Sequence, residues 1–97
     1  MYEINEIKDI IEKHKAEMIE QYNVCEIGVF GSYVRGEQRE DSDIDILVSF
    51  QKPIGFIKFM RFEFYLSDLF GKKVDLVTKD SLKPYIGSTI LRETQYA

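Results

Sequence analysis

The spacing of apolar positions divides the chain into alternating helices and strands. From residue 3 to residue 21, Ile4, Ile7, Ile11 and Met18 recur at three- and four-residue steps with charges between them, which predicts an amphipathic helix. His14 stands beside that stripe. It reads as a histidine at the edge of a helix–sheet contact rather than as a catalytic base, because the chain holds no second histidine to share a metal or a proton relay. Asn23 is a helix stop. Residues 24–30 then read as a strand, with Cys25 as a small structural residue. After Gly31, Ser32–Arg35 reads as one helical turn stopped by Gly36. Residues 37–42, EQREDS, read as a charged loop and 43–50 as a second strand, ended by Pro53 and Gly55.

Residues 56–70 predict a long helix closed by Gly71. Phe56, Ile57, Phe59, Met60, Phe62, Phe64, Tyr65, Leu66, Leu69 and Phe70 cover almost its whole circumference. One face can pack on a sheet, and a helix apolar on its other side too calls for a second cover. A subunit or partner interface is therefore expected there, whether a homo-oligomer contact or a different protein. The plainer alternative is a scattered aromatic surface left in water. Lys73–Thr78 reads as a third strand with Asp75 in the middle of its apolar run. Asp80 is expected to cap a last helix over 81–94, with Pro84 in its first turn and Gly87 weakening it.

Composition narrows the classes. A chain of 97 residues is expected to form one domain spanning 1–97. At that size it buries roughly 60–70% of its unfolded surface, enough for a core without staples. The net charge of −4 and pI near 5.0 argue against a broad footprint for DNA or RNA. A nucleotide accompanied by its metal stays open, because the metal neutralises much of the phosphate charge. The single cysteine cannot form an internal disulfide, which points to a reducing cytoplasm. Its nucleophile reading is poor, since no histidine lies near it in sequence. No apolar run approaches the ~20 residues of a membrane span, so no membrane is expected.

The chemistry concentrates between Phe30 and Phe50. Gly31-Ser32 is followed after ten residues by Asp43-Ile44-Asp45. Residues two apart on a strand share a face, so Asp43 and Asp45 leave together. Two carboxylates that close repel each other unless a cation sits between them. Oxygen donors suit magnesium or manganese. Glycine leaves room for a phosphate, and a turn opening into a helix offers backbone N–H donors.

The second strand, the aromatic helix and the third strand make a βαβ unit. Its strands are parallel, so Asp43, Asp45 and Asp75 come to one edge of the sheet. If the first strand runs antiparallel to the second, Gly31 reaches the same edge. Three carboxylates beside a phosphate cradle suit metal-assisted nucleotidyl transfer. For Asp75 alone, pairing with Lys72 or Lys73, or a solvent-facing position on an edge strand, remains open. Two other motifs fail. The aspartates from Asp41 onward lack the glycine and glutamate of an EF-hand loop, where Ile46 and Lys52 stand instead. The chain also lacks the Gly-Lys-Ser/Thr run of a Walker loop and the three spaced glycines of a dinucleotide fingerprint.

The stretch GSYVRGEQREDSDIDILV, with the later VDLV, resembles the minimal nucleotidyltransferases of the DNA polymerase β-like superfamily. The match runs through Gly31, Ser32, Arg35, Gly36, Ser42, Asp43 and Asp45 and covers nearly the full length. The resemblance implies the polymerase β-like α/β (α+β) fold, a mixed three-stranded sheet flanked by about four helices. It implies that Asp43 and Asp45 bind two magnesium ions around ATP. Gly31 and Ser32 would hold its β- and γ-phosphates. Asp75 would complete the metal site and help deprotonate the attacking hydroxyl. Arg35 would reach the phosphates or support the loop, a salt bridge to EQREDS being the alternative. Ser42 falls in the nucleotide-binding motif and is expected to orient the aspartate loop rather than touch substrate.

Members of this group are often the antitoxin half of HEPN/MNT toxin–antitoxin pairs. By resemblance, this chain would move AMP from ATP to a tyrosine hydroxyl of a helical HEPN-type ribonuclease. The alternative is a non-catalytic module that neutralises its partner by contact through 56–70. Transfer to a small molecule or an RNA end is disfavoured, because such enzymes carry a further substrate domain.

Overall fold

Asn23 sits in the left-handed region at φ 57°, and its N–H closes the last turn of the first helix on Ile19 O. That stop turns the chain from α1 (Ile4–Tyr22) into β1 (Val24–Phe30). The computed structural model describes residues 2–82 and 84–97. After β1 come a one-turn helix α2 (Ser32–Arg35), β2 (Ile44–Phe50), α3 (Gly55–Phe70) and β3 (Val74–Thr78). A 3-10 turn (Lys79–Ser81), α4 (Pro84–Glu93) and a two-residue β4 (Gln95–Tyr96) complete the described chain. Each of the first six elements falls within a residue or two of its expected place.

β1 and β2 are antiparallel, and β2 and β3 are parallel in the register Ile44–Val74 to Val48–Thr78. The expected sheet of three strands has a fourth. β4 adds to the free edge of β1, giving the order β3-β2-β1-β4. Gly28 makes room for it: a Cβ there would lie 2.7 Å from Thr94 Cγ2 and 2.9 Å from Gln95 O. Glycine inside a strand often marks such a close backbone approach.

Alternation along the strands sorts the two faces. Ile27, Val29, Ile44, Ile46, Val48, Val74 and Leu76 point into a core completed by Ile7, Ile11 and Met18 of α1 and Phe62, Leu66 and Phe70 of α3. Phe30, Asp45 and Asp75 belong to the opposite set. α1 and α3 therefore cover one face, and the other is left for chemistry. α3 is buried on one side only. Phe56 and Phe64 are 75% and 65% exposed, with Ile57 and Met60 beside them on the outer face.

Two further expectations are corrected. Cys25 is exposed rather than a structural core residue. The β1–β2 register shifts between Val24 and Glu26, so the cysteine stands at the irregularity and turns outward. Asp80 does not cap α4. It lies inside the 3-10 turn, where Ser81 Oγ bonds back to Thr78 O at 2.8 Å. The last helix starts at Pro84 rather than 81, its proline in the first turn as expected, and ends at Glu93. Within the expected range, Lys83 lies outside the described residues. His14 Nδ1 is 2.9 Å from Ile10 O of its own helix, in keeping with a packing role.

Candidate active site

Gly31 links the end of β1 to α2 with φ 81° and ψ −149°, a conformation essentially confined to glycine. It is excluded from carrying a side chain for a second reason. A Cβ at residue 31 would collide with Asp45 Oδ2 and stand 3.0 Å from Asp45 Cγ. The tight packing of that carboxylate against bare backbone joins the two halves of the motif. Gly31 O accepts the N–H groups of Val34 and Arg35, which leaves those of Ser32 and Tyr33 without an intrahelical acceptor. Gly36, at φ 71°, closes the turn on Ser32 O.

The acids come from the expected places. Asp45 pairs across the sheet with Phe30 on one side and lies in register with Asp75 on the other. Parallel partners in register share a face, so Asp45 and Asp75 stand side by side. Asp43, two residues earlier, precedes the first residue of β2. Asp43 and Asp45 are half-buried and Asp75 is exposed. Partial burial, then the charges of Asp75 and Asp43, push the Asp45 carboxyl up to about 6, against a smaller pull downward from Arg35. The neighbouring acids are thus close enough to oppose ionisation of Asp45. Neither lysine considered as a partner for Asp75 pairs with it: Lys73 Nζ is 3.8 Å from Asp43 Oδ2, and Lys72 Nζ donates to Glu40 O at 2.6 Å.

The donor set is all oxygen, the chemistry that magnesium and manganese accept. Among the described residues no group of three acidic, imidazole or thiol side chains converges into a ready-made ion cage. A divalent ion held there would need phosphate oxygens or waters among its ligands, as magnesium has with nucleotides.

Arg35 and Ser42 are held by protein. Arg35 reaches Glu37 of the charged loop at 3.3 Å, the expected loop bridge, and also Glu93 at 3.0 Å. Ser42 Oγ accepts the Arg39 N–H at 2.8 Å, and its own N–H donates to Arg39 O at 3.0 Å, pinning the loop that delivers Asp43. Glu93 carried no motif. It lies at the end of α4, which walls a cleft of about 520 Å³ with Phe30, Gly31, Arg35, Asp45, Thr89 and Ile90.

This geometry agrees with the comparison to known families, where the model of the nucleotidyltransferase domain matches residues 11–97. The chain belongs to the nucleotidyltransferase domain family. A relative from Thermococcus cleftensis, named protein adenylyltransferase MntA, is 53% identical over 96 residues, covering 99% of this chain and 97% of its own. A solved structure described as a minimal nucleotidyltransferase superposes with a TM-score of 0.81 at 31% identity, over 97% of this chain and 95% of the other. A more distant neighbour is the MNT antitoxin solved in complex with a tri-AMPylated HEPN toxin from Shewanella oneidensis. It shares the fold at a TM-score of 0.69 and 22% identity, over 95% of this chain and 69% of that one. The family match and the adenylyltransferase relative make the chain a nucleotidyltransferase. Among the described residues no helix is long and apolar enough to cross a membrane.

Proposed function

We propose that the chain, as one minimal domain over residues 1–97, transfers AMP from ATP to a protein hydroxyl. The observation that carries this reading is the close approach of the Asp45 carboxylate to the bare Gly31 backbone, which supports pairing an acid suited to a metal with a bend suited to a phosphate. The 53% identity to a protein adenylyltransferase supports the choice of AMP and of a protein acceptor.

In this reading Gly31 and Ser32 hold the β- and γ-phosphates through backbone N–H groups. Asp43 and Asp45, with Asp75 beside them, would hold two magnesium ions. The ions supply charge neutralisation on the phosphates and align the acceptor. The acceptor oxygen bonds to the α-phosphorus as the bond to pyrophosphate breaks. Pyrophosphate carries away the electron pair, and Asp75, exposed at the mouth of the site, receives the hydroxyl proton. Ser42 keeps the aspartate loop in register, and Arg35 is near enough to the cradle to meet a phosphate.

The acceptor we propose is a tyrosine hydroxyl of a HEPN-type ribonuclease, with this chain as its antitoxin. The minimal-group motif and the fold shared with the MNT antitoxin of the Shewanella complex support the antitoxin role, and the outward stripe of α3 supports a protein partner. That stripe also leaves room for contact with a second copy. An exposed lone thiol and ATP as substrate suit the cytoplasm.

The test is coexpression with the HEPN-type partner, followed by intact-mass measurement and incubation with labelled ATP and magnesium. Wild type should add AMP to the partner, and Asp43→Ala should lose at least about a hundredfold in rate if metal-assisted charge neutralisation drives the step. Equal transfer by the variant would remove Asp43 from the chemistry. A second reading, neutralisation by contact alone, draws on the exposed Phe56 and Phe64. It predicts that an Asp43→Asn, Asp45→Asn double variant still silences the partner.

A further inference from the structure

Glu93 sits where an anion is wanted. Its Oε1 accepts the Gly31 backbone N–H at 2.9 Å, and Arg35 Nη1 donates to both of its oxygens, at 3.2 and 3.0 Å. The Glu93 side chain is only 19% exposed, while that of Arg35 stands about half in water at 47%. It shares its cleft with Asp45. A backbone N–H and a guanidinium are donors that a phosphate oxygen also seeks, and carboxylate and phosphate use the same charge-assisted geometry. The same donors have no capacity to serve both anions fully.

We infer that Glu93 is an internal competitor for the triphosphate. It occupies the Gly31 N–H and the Arg35 guanidinium in the nucleotide-free protein, and it sets how tightly a nucleotide binds. The inference rests on the reading of Gly31–Ser32 as the phosphate cradle. Three features favour exchange over a permanent strut. Arg35 is exposed and has a second carboxylate, Glu37, at 3.3 Å, so it keeps a partner while Glu93 leaves. Glu93 ends α4, next to the mouth of the cleft, and turning outward costs it no helical hydrogen bond of its own side chain. Finally, Glu93 adds a second carboxylate to a cleft that Asp45 already lines. A triphosphate entering that field gains from the departure of either one.

A strut and a competitor predict opposite signs. If Glu93 merely props the cradle, its loss weakens nucleotide binding. If it competes, its loss strengthens binding, because the competent fraction of the site rises. The experiment is calorimetric titration of the full chain with magnesium and a non-hydrolysable ATP analogue, for wild type, Glu93→Gln and Glu93→Ala. Circular dichroism melts establish that each variant is folded, and the near-isosteric glutamine decides the matter if alanine disturbs α4.

The expected result is binding about fivefold tighter in both variants, as when a half-exposed ion pair stops holding the site closed. The advantage should shrink as ionic strength rises. Equal or weaker binding by a folded glutamine variant, with wild type binding normally, overturns the competitor and leaves the cradle standing. No binding of the analogue by wild type overturns the cradle itself, and the competitor with it.

Discussion

Replacing Asp45 by asparagine should make the nucleotide-free protein more stable at neutral pH. In the unfolded chain this carboxyl has its ordinary value of 3.8, and in the folded protein it is pushed up to about 6. A group raised on folding binds its proton more tightly in the native state. Above pH 6 Asp45 is ionised in both states, and the folded protein carries the whole penalty. As pH falls from 6 towards 3.8 the native carboxyl protonates and the penalty fades; below 3.8 both states are neutral and none remains. Values about two pH units apart set a ceiling near 3 kcal/mol. Asp45 is only half-buried, and solvent screening brings this to about 1–1.5 kcal/mol. For a domain of this length, that corresponds to about 5–10 °C in melting temperature. The assay is thermal unfolding by circular dichroism in EDTA, for wild type and Asp45→Asn, from pH 4 to pH 7.5. Only residue 45 differs between the two proteins, so the gap between the two curves reports the charge at that position together with its repulsion from Asp43 and Asp75. A variant melting at or below wild type at pH 7.5, or an equal gap at pH 4 and pH 7.5, would refute the electrostatic account of the site.

Gly31→Ala should cost at least about 2 kcal/mol of stability, read as a lower urea midpoint, because it adds backbone strain to a collision with the Asp45 carboxylate. It should also abolish binding of the ATP analogue, and a variant of wild-type stability would show that the bend is not confined as described. Phe56→Ser and Phe64→Ser should change folding stability by no more than about 0.5 kcal/mol, since both side chains stand in water. Retained capture of the proposed HEPN-type partner by the double variant would move the partner surface away from α3.

The order of elements through β3 was legible because its signals are local. Apolar spacing, Asn23 and the glycines after each helix mark boundaries within a few residues of themselves. The convergence of Asp45 with Asp75 was legible too, although the two lie thirty positions apart, because a βαβ crossover leaves little choice of where two parallel strands begin. What escaped depends on contacts that no local pattern encodes. The Gln95–Tyr96 strand is two residues long and exists only because β1 offers a free edge. Cys25 turned outward through a register shift that its own neighbours do not announce. One local clue does exist: Gly28 stands inside a strand, and the backbone packed against it is that of β4.

Glu93 marks the boundary of such reasoning. Its partner Arg35 lies 58 residues away, and the two meet because β4 draws the end of α4 over the mouth of the sheet. The motif supplies the donors of the cradle, Gly31 and Arg35, at fixed spacing. The anion that fills them before the nucleotide is supplied by tertiary placement of a single acidic side chain. A carboxylate can serve that purpose from any element reaching the cleft, so no spacing rule selects it. Chemistry shared by many related sequences is therefore expected to sit in the local motif. The control of affinity inferred for Glu93 lies instead with a residue that only the folded chain brings in.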